Sequence, residues 1–346
     1  MLRSTANALA AASALLAAMP ASAQVEPPDV TRQPPAAPSQ QASAQRPTGD
    51  SANAGDVANP PATVTTIPQQ PNYQVGGGYL HQFSESAGSN GGSMSADRFY
   101  GSFSSRMVLS DELTLTLAMG YEFDWYHWSG ASPFTVQDPW GSVNLFGLQL
   151  RGSFKVAKDW TAMVGGIFAM AGETNADAGD SIYGGGIASV AWTPSRDLML
   201  GLGVLGVTQL EDDPLFVPIP VVHWHFAEEW EVSTIRRPPA SPFVGVDVAW
   251  EPVDSKLDVA FGIGWQQRRF RLGTTSSAAS SEGVGQDQSW AAFASIGYDF
   301  APTVRVDFVG GLTFYENLQL VSTAGAVQDA TVDQNPLLGV FATISF

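Results

Sequence analysis

Pro336-Leu-Leu-Gly-Val-Phe-Ala-Thr-Ile-Ser-Phe346 ends the chain, and the way it alternates sets the reading of everything before it. From Leu338 every second residue is apolar: Val340, Ala342, Ile344 and Phe346. Between them stand Gly339, Thr343 and Ser345, with Phe341 the exception. Side chains of a strand point alternately to its two faces, so this spacing specifies a strand with one apolar side. A single strand of this kind says little. Its weight depends on how many others share the pattern.

From Gln74 onward many do. The same rule marks about fourteen segments, at 75–85, 97–109, 112–125, 141–156, 160–171, 181–192, 198–209, 219–226, 230–236, 242–250, 256–271, 287–300, 304–319 and 336–346. Their connections alternate between short, as at Ser110-Asp111, and long, as at 126–140. That alternation predicts an all-β fold, a transmembrane antiparallel up-and-down β-barrel with tight turns at one end and long loops at the other. The short turns resemble one another: Trp192-Thr-Pro, Trp250-Glu-Pro and Phe300-Ala-Pro. The segment 230–236 is short and ends in Arg236-Arg237-Pro238-Pro239, and Pro218 and Pro220 trim the segment before it. If that hairpin does not span, the count falls from fourteen to twelve, since single-chain barrels of this type are even-numbered.

The two faces sort by polarity. One carries Leu113, Leu115, Leu117, Met119, Tyr121 and Phe123, then Leu257, Val259, Phe261, Ile263 and Trp265, then Trp290, Ala292, Ala294, Ile296 and Tyr298. The opposite face carries Arg98, Arg106, Glu112, Glu122, Asp124, Arg151, Lys155, Asp247, Lys256, Asp258, Arg268, Asp299, Arg305 and Asp307. A water-soluble sandwich would put its charges outside and its apolar residues in the core. Here the uncharged side suits lipid, where a mid-membrane charge costs roughly 2–4 kcal/mol. Trp160, Trp192, Phe226, Trp230, Trp250, Phe300 and Phe346 fall at strand ends near the short turns, where an aromatic girdle is expected. Trp125, Trp128, Trp140, Trp265 and Phe314 are expected near the other rim.

Composition agrees. The 346 residues include 35 Gly, 19 Phe and 10 Trp, only 14% are charged, and the net charge is −17. The acidic balance argues against nucleic acid as a partner. With no Cys, disulfides and thiolate chemistry are excluded. Residues 1–23 read as a signal peptide: Arg3, an apolar stretch from Ala8 to Met19, then Ala21-Ser-Ala23. Residues 24–73 hold ten prolines and almost no aromatics, so they are expected to be a disordered periplasmic linker preceding a 74–346 barrel.

With its leader, its alternating strands, its Trp-Thr-Pro and Trp-Glu-Pro turns and the closing Ile344-Ser-Phe346, the chain resembles uncharacterised outer-membrane β-barrel families of Gram-negative bacteria. The resemblance implies an outer-membrane location, contact with lipid and lipopolysaccharide, and recognition of Ile344 and Phe346 by the barrel-insertion machinery. The Pro-rich tail, which the resemblance does not cover, reads as a periplasmic spacer, with reach to peptidoglycan or a periplasmic protein as the alternative. The resemblance implies no enzyme: the Ser, His or Asp sets of outer-membrane phospholipases, proteases and palmitoyltransferases have no counterpart here.

Few motifs suggest a site. Gly201-Leu-Gly-Val-Leu-Gly206 has dinucleotide-loop spacing but lies within a strand, without the helix that would present amides to a pyrophosphate. His223 and His225 share a lumen face, with Glu231 on the next strand. They suit a metal in residue type, yet wall residues are the plainer reading, and no metal, cofactor or catalytic set is expected. The lumen candidates are therefore Arg98, Arg106, Glu122, Asp124, Arg151, His223, His225, Asp247, Asp258, Arg268, Asp299, Arg305 and Asp307, as bracing ion pairs or as a pore lining. Acidic loop residues such as Glu173, Glu211 and Asp212 read as solvated surface. Two functions stay open: a passive pore for small solutes, or a non-conducting barrel acting through its loops and tail.

Overall fold

The computed structural model describes residues 72–88, 91–130, 134, 138–234, 244–274 and 281–346. The expected leader and nearly all of the Pro-rich segment lie outside the described residues, as do 235–243 with Arg236–Pro239.

The alternating segments are strands. In order they are β1 (Asn72–Ser86), β2 (Gly92–Val108), β3 (Leu113–Gly130), β4 (Ser142–Ala157), β5 (Trp160–Glu173), β6 (Ile182–Ser195), β7 (Leu198–Gln209), β8 (Asp212–Ala227), β9 (Trp230–Ser233), β10 (Val244–Trp250), β11 (Leu257–Arg271), β12 (Val284–Ala301), β13 (Val304–Val321), β14 (Val327–Val332) and β15 (Asn335–Ser345). Among the described residues there is no helix. Each strand from β1 to β13 pairs antiparallel with the next, and β15 pairs with both β13 and β1. β14, unforeseen in the loop after β13, runs back along the upper part of β13 ahead of β15, so the wall is a closed antiparallel barrel of 14 strands. Closure leaves the sheet without a free edge, as a membrane-spanning strand structure requires.

The terminal strand lies against β1 with Val75 opposite Ile344 and Tyr79 opposite Val340. Leu338, Val340, Ala342, Ile344 and Phe346 face outward and are exposed. Phe341, the exception in the alternation, turns into the barrel and is buried. It has room because its partner is Gly78: a Cβ there would come within 2.1 Å of the Phe341 ring.

β8 is longer than expected and runs straight through Pro218 and Pro220. The reason is direction. Val222 presents its N–H and C=O to Thr234, on the β9 side. Pro218 and Pro220 share its parity, so their missing donors point to that same side, past the described residues of β9, and leave the ladder with β7 intact.

Trp160, Trp192, Phe226, Trp230, Trp250, Phe300 and Phe346 all point outward at the short-turn end, with Trp160 and Trp192 as stacked register partners. At the long-loop end only part of the expected girdle stands. Trp125 faces outward, but Trp128 packs against the inner cluster, and Trp140 and Trp265 are buried inside the barrel. Trp140 packs edge-on against Tyr126, Trp128, Phe134 and Phe270, capping the interior. Asp97 is an acidic intrusion on the outer face, level with Trp125 and held by Tyr79, His81 and His127.

Trp265 is displaced because the wall itself leaves the cylinder. Past Trp265, which Val244 still pairs, β11 continues beyond the described residues of β10, and with the start of β12 it folds into the lumen until Arg271 pairs with Gly172 of β5. Both faces of this stretch are then buried. Trp265 packs on Ala118, Ile167, Leu205 and Val217, while Phe270 packs on the opposite cluster with Met94 and Tyr126.

Candidate functional site

The lumen holds three groups of polar side chains, one central and two toward the short turns. The central group is built on the inward hairpin. Arg268 Nε lies 2.6 Å from Glu122 and 2.9 Å from Asp124, both on β3. Arg98 of β2 lies 3.0 Å from Asp124 and 3.0 Å from Asp287 of β12, and donates to Gln82 at 2.7 Å. Tyr126 donates to Asp287 at 2.7 Å, and Gln82 passes the network on to Glu316 at 2.6 Å. Arg98, Arg268, Asp124 and Asp287 are each 0% exposed. Charges so placed persist only through close pairing, and losing one partner of a buried pair costs about 3–5 kcal/mol.

The hairpin tip is pinned at the long-loop end. Arg269 donates to the Leu210 carbonyl at 2.9 Å and pairs with Asp212 at 3.5 Å. Arg271 pairs with Glu211 and donates to the Asp180 and Glu282 carbonyls. Glu173 accepts from the backbone N–H groups of Gly141 and Gly273. These loop carboxylates, expected to be solvated, hold the hairpin instead.

A second group lies toward the short turns. Arg305 lies 2.6 Å from Asp258, 2.7 Å from Asp307 and 3.8 Å from Asp299. Gly297 makes space for it: a Cβ there would come within 2.0 Å of the Arg305 guanidinium. The third group is on β8 and β9, where His223 and His225 flank Glu231 at 3.1 and 3.3 Å.

The sequence-derived lumen candidates thus divide. Arg98, Glu122, Asp124 and Arg268 meet in the centre, Asp258, Asp299, Arg305 and Asp307 meet below, and the two histidines stand apart. Arg106, Arg151 and Asp247 face inward outside these three groups, with Arg151 donating to the Met163 sulfur at 3.9 Å. Sequence reasoning missed Gln82, Tyr100, Tyr126, Asp287 and Glu316. The first four keep inward parity and were legible as lumen residues. Glu316 was not, because Tyr315, at φ 52°, bulges the strand and reverses its parity.

No protein-family model matches the chain, and no curated protein matches it. Solved structures do resemble it. An outer membrane channel from Pseudomonas putida F1 is 10% identical, with a TM-score of 0.44 over 80% of this chain and 96% of that one. A FadL homologue from Pseudomonas aeruginosa is 10% identical, with a TM-score of 0.45 over 80% and 90%. KdgM porin is 7% identical, with a TM-score of 0.32 over 78% and 99%. At this level of likeness, solute and mechanism have to be read from this chain's own residues.

Proposed function

We propose that the protein is an outer-membrane channel for small polar solutes, gated rather than permanently open, with its own wall as the gate. One observation carries the reading: the β11–β12 hairpin crosses the lumen and is held by a buried ion-pair network, not by apolar packing alone. An apolar seal would close a structural barrel at less electrostatic risk. A charged latch can instead exchange its internal partners for water or solute as the hairpin swings back toward the wall. Below the latch the interior holds an apolar cluster around Phe293 and Phe341, and then Arg305 with its carboxylates. The uncharged outer band, the aromatic ring at the short-turn end and the closed sheet support the membrane location.

Planar-bilayer recording of the refolded barrel tests this. Wild type should be closed most of the time, with rare openings. Arg269→Ala with Arg271→Ala frees the hairpin tip without touching the central network, and should raise open probability at least tenfold. A barrel that stays silent in both forms while remaining heat-modifiable would sink the channel reading and leave the non-conducting one.

A further inference from the structure

We propose that His223, His225 and Glu231 form a binding site for a borderline divalent transition-metal ion on the lumen wall at the short-turn end. The proposal is independent of whether the barrel conducts. His223 and His225 sit two apart on β8, so both imidazoles face the lumen, and β9 registers Glu231 directly opposite His225. Among the described residues, one ligand atom from each of the three lies within 4.8 Å of the others.

Each imidazole nitrogen faces its own carboxylate oxygen of Glu231. Ligands at about 2.1 Å from a tetrahedral ion stand about 3.4 Å from one another. Glu231 lies 3.1 Å from His223 Nδ1 and 3.3 Å from His225 Nε2. The His223 Nδ1 and Glu231 Oε1 atoms, though close, are not aligned for a hydrogen bond with each other. The imidazole rings are nearly perpendicular, at 81° with centroids 4.8 Å apart. Two imidazoles and a carboxylate select Zn²⁺, Ni²⁺ or Cu²⁺ over Mg²⁺ or Ca²⁺, which prefer all-oxygen shells. Three protein ligands leave a fourth position open, and His225, 35% exposed, places it toward the lumen. Such an ion would tie β8 to the four-residue β9, the shortest stave of the wall.

The test is Zn²⁺ titration of the refolded barrel by calorimetry and against a colorimetric chelator, with Mg²⁺ as control. Wild type should bind one Zn²⁺. His225→Ala and Glu231→Gln should each weaken binding by more than roughly 100-fold, beyond what an outer-shell change produces. His127→Ala, in the other histidine group on the outward face, should change nothing. Heat-modifiability shows which variants are folded, and His225→Gln replaces any that is not. Absence of Zn²⁺ uptake by folded wild type, or equal uptake by a folded His225 variant, would overturn the site.

Discussion

Phe341 shows how one residue can break a pattern and still obey it. With Leu337 it is one of two large apolar side chains on the polar parity of the terminal strand, and Gly78 opposite it is what admits the ring. Gly78→Ala should therefore destabilise the barrel by about 1–3 kcal/mol through overpacking, read as a lower urea midpoint in detergent. Adding Phe341→Leu should recover part of the loss, and an additive double mutant would deny the contact. At a short turn, Glu229 accepts from Trp250 Nε1 at 3.0 Å and from the Val253 N–H at 3.2 Å, which hold its carboxyl below the usual carboxylate range. A depressed pKa stabilises above the unfolded value and fades as pH falls through the folded one. Wild type and Glu229→Gln should therefore differ at neutral pH and converge in unfolding temperature at acid pH, below about 4. A constant gap at all pH values would show that the carboxylate's charge is not involved.

At the scale of the element, the inward hairpin marks the limit of what alternation can tell. Period two reports which residues share a face, and it did so correctly along β11. It does not report whether that face meets lipid or another wall. Trp265 follows Leu257, Val259, Phe261 and Ile263 in strict alternation, so it read as lipid-facing. The contrary signal lay just beyond it: Gln267, Arg269 and Arg271 continue the same parity, and lipid would not accept them. Polarity on both faces of a strand is thus the mark of a strand leaving the wall. Trp265→Ala should cost about 3–5 kcal/mol, because protein surrounds the vacated space. Trp125→Ala, on the outer face, should cost less because lipid refills the site. Brominated lipid tails should quench the emission lost on Trp125→Phe but not that lost on Trp265→Phe, and the reverse result would put Trp265 back on the lipid side.

For the whole molecule, the closed barrel was legible because each strand carries its own evidence and closure needs only the two ends to pair. The polar interior was legible as a face, but its division into three groups was not. Arg98 and Asp287 lie 189 positions apart and meet only through the curvature of the wall and the hairpin's inward fold. The closing strand offers the test of the whole design. Val340 stands outward well inside the apolar band, Ile344 lies near the girdle, and Phe346 completes the ring through backbone bonds to Tyr73 at 2.8 and 3.3 Å. Val340→Arg should cost roughly 2–4 kcal/mol and Ile344→Arg no more than about 1, because the penalty for a lipid-facing charge decays toward the interface. Deleting Phe346 removes both backbone bonds and one girdle ring, so it should slow folding into lipid vesicles more than Phe346→Trp does. Urea titration and heat-modifiability in vesicles measure all four. If Val340→Arg folds as well as Ile344→Arg, no depth gradient exists along this strand, and its apolar face does not meet a membrane.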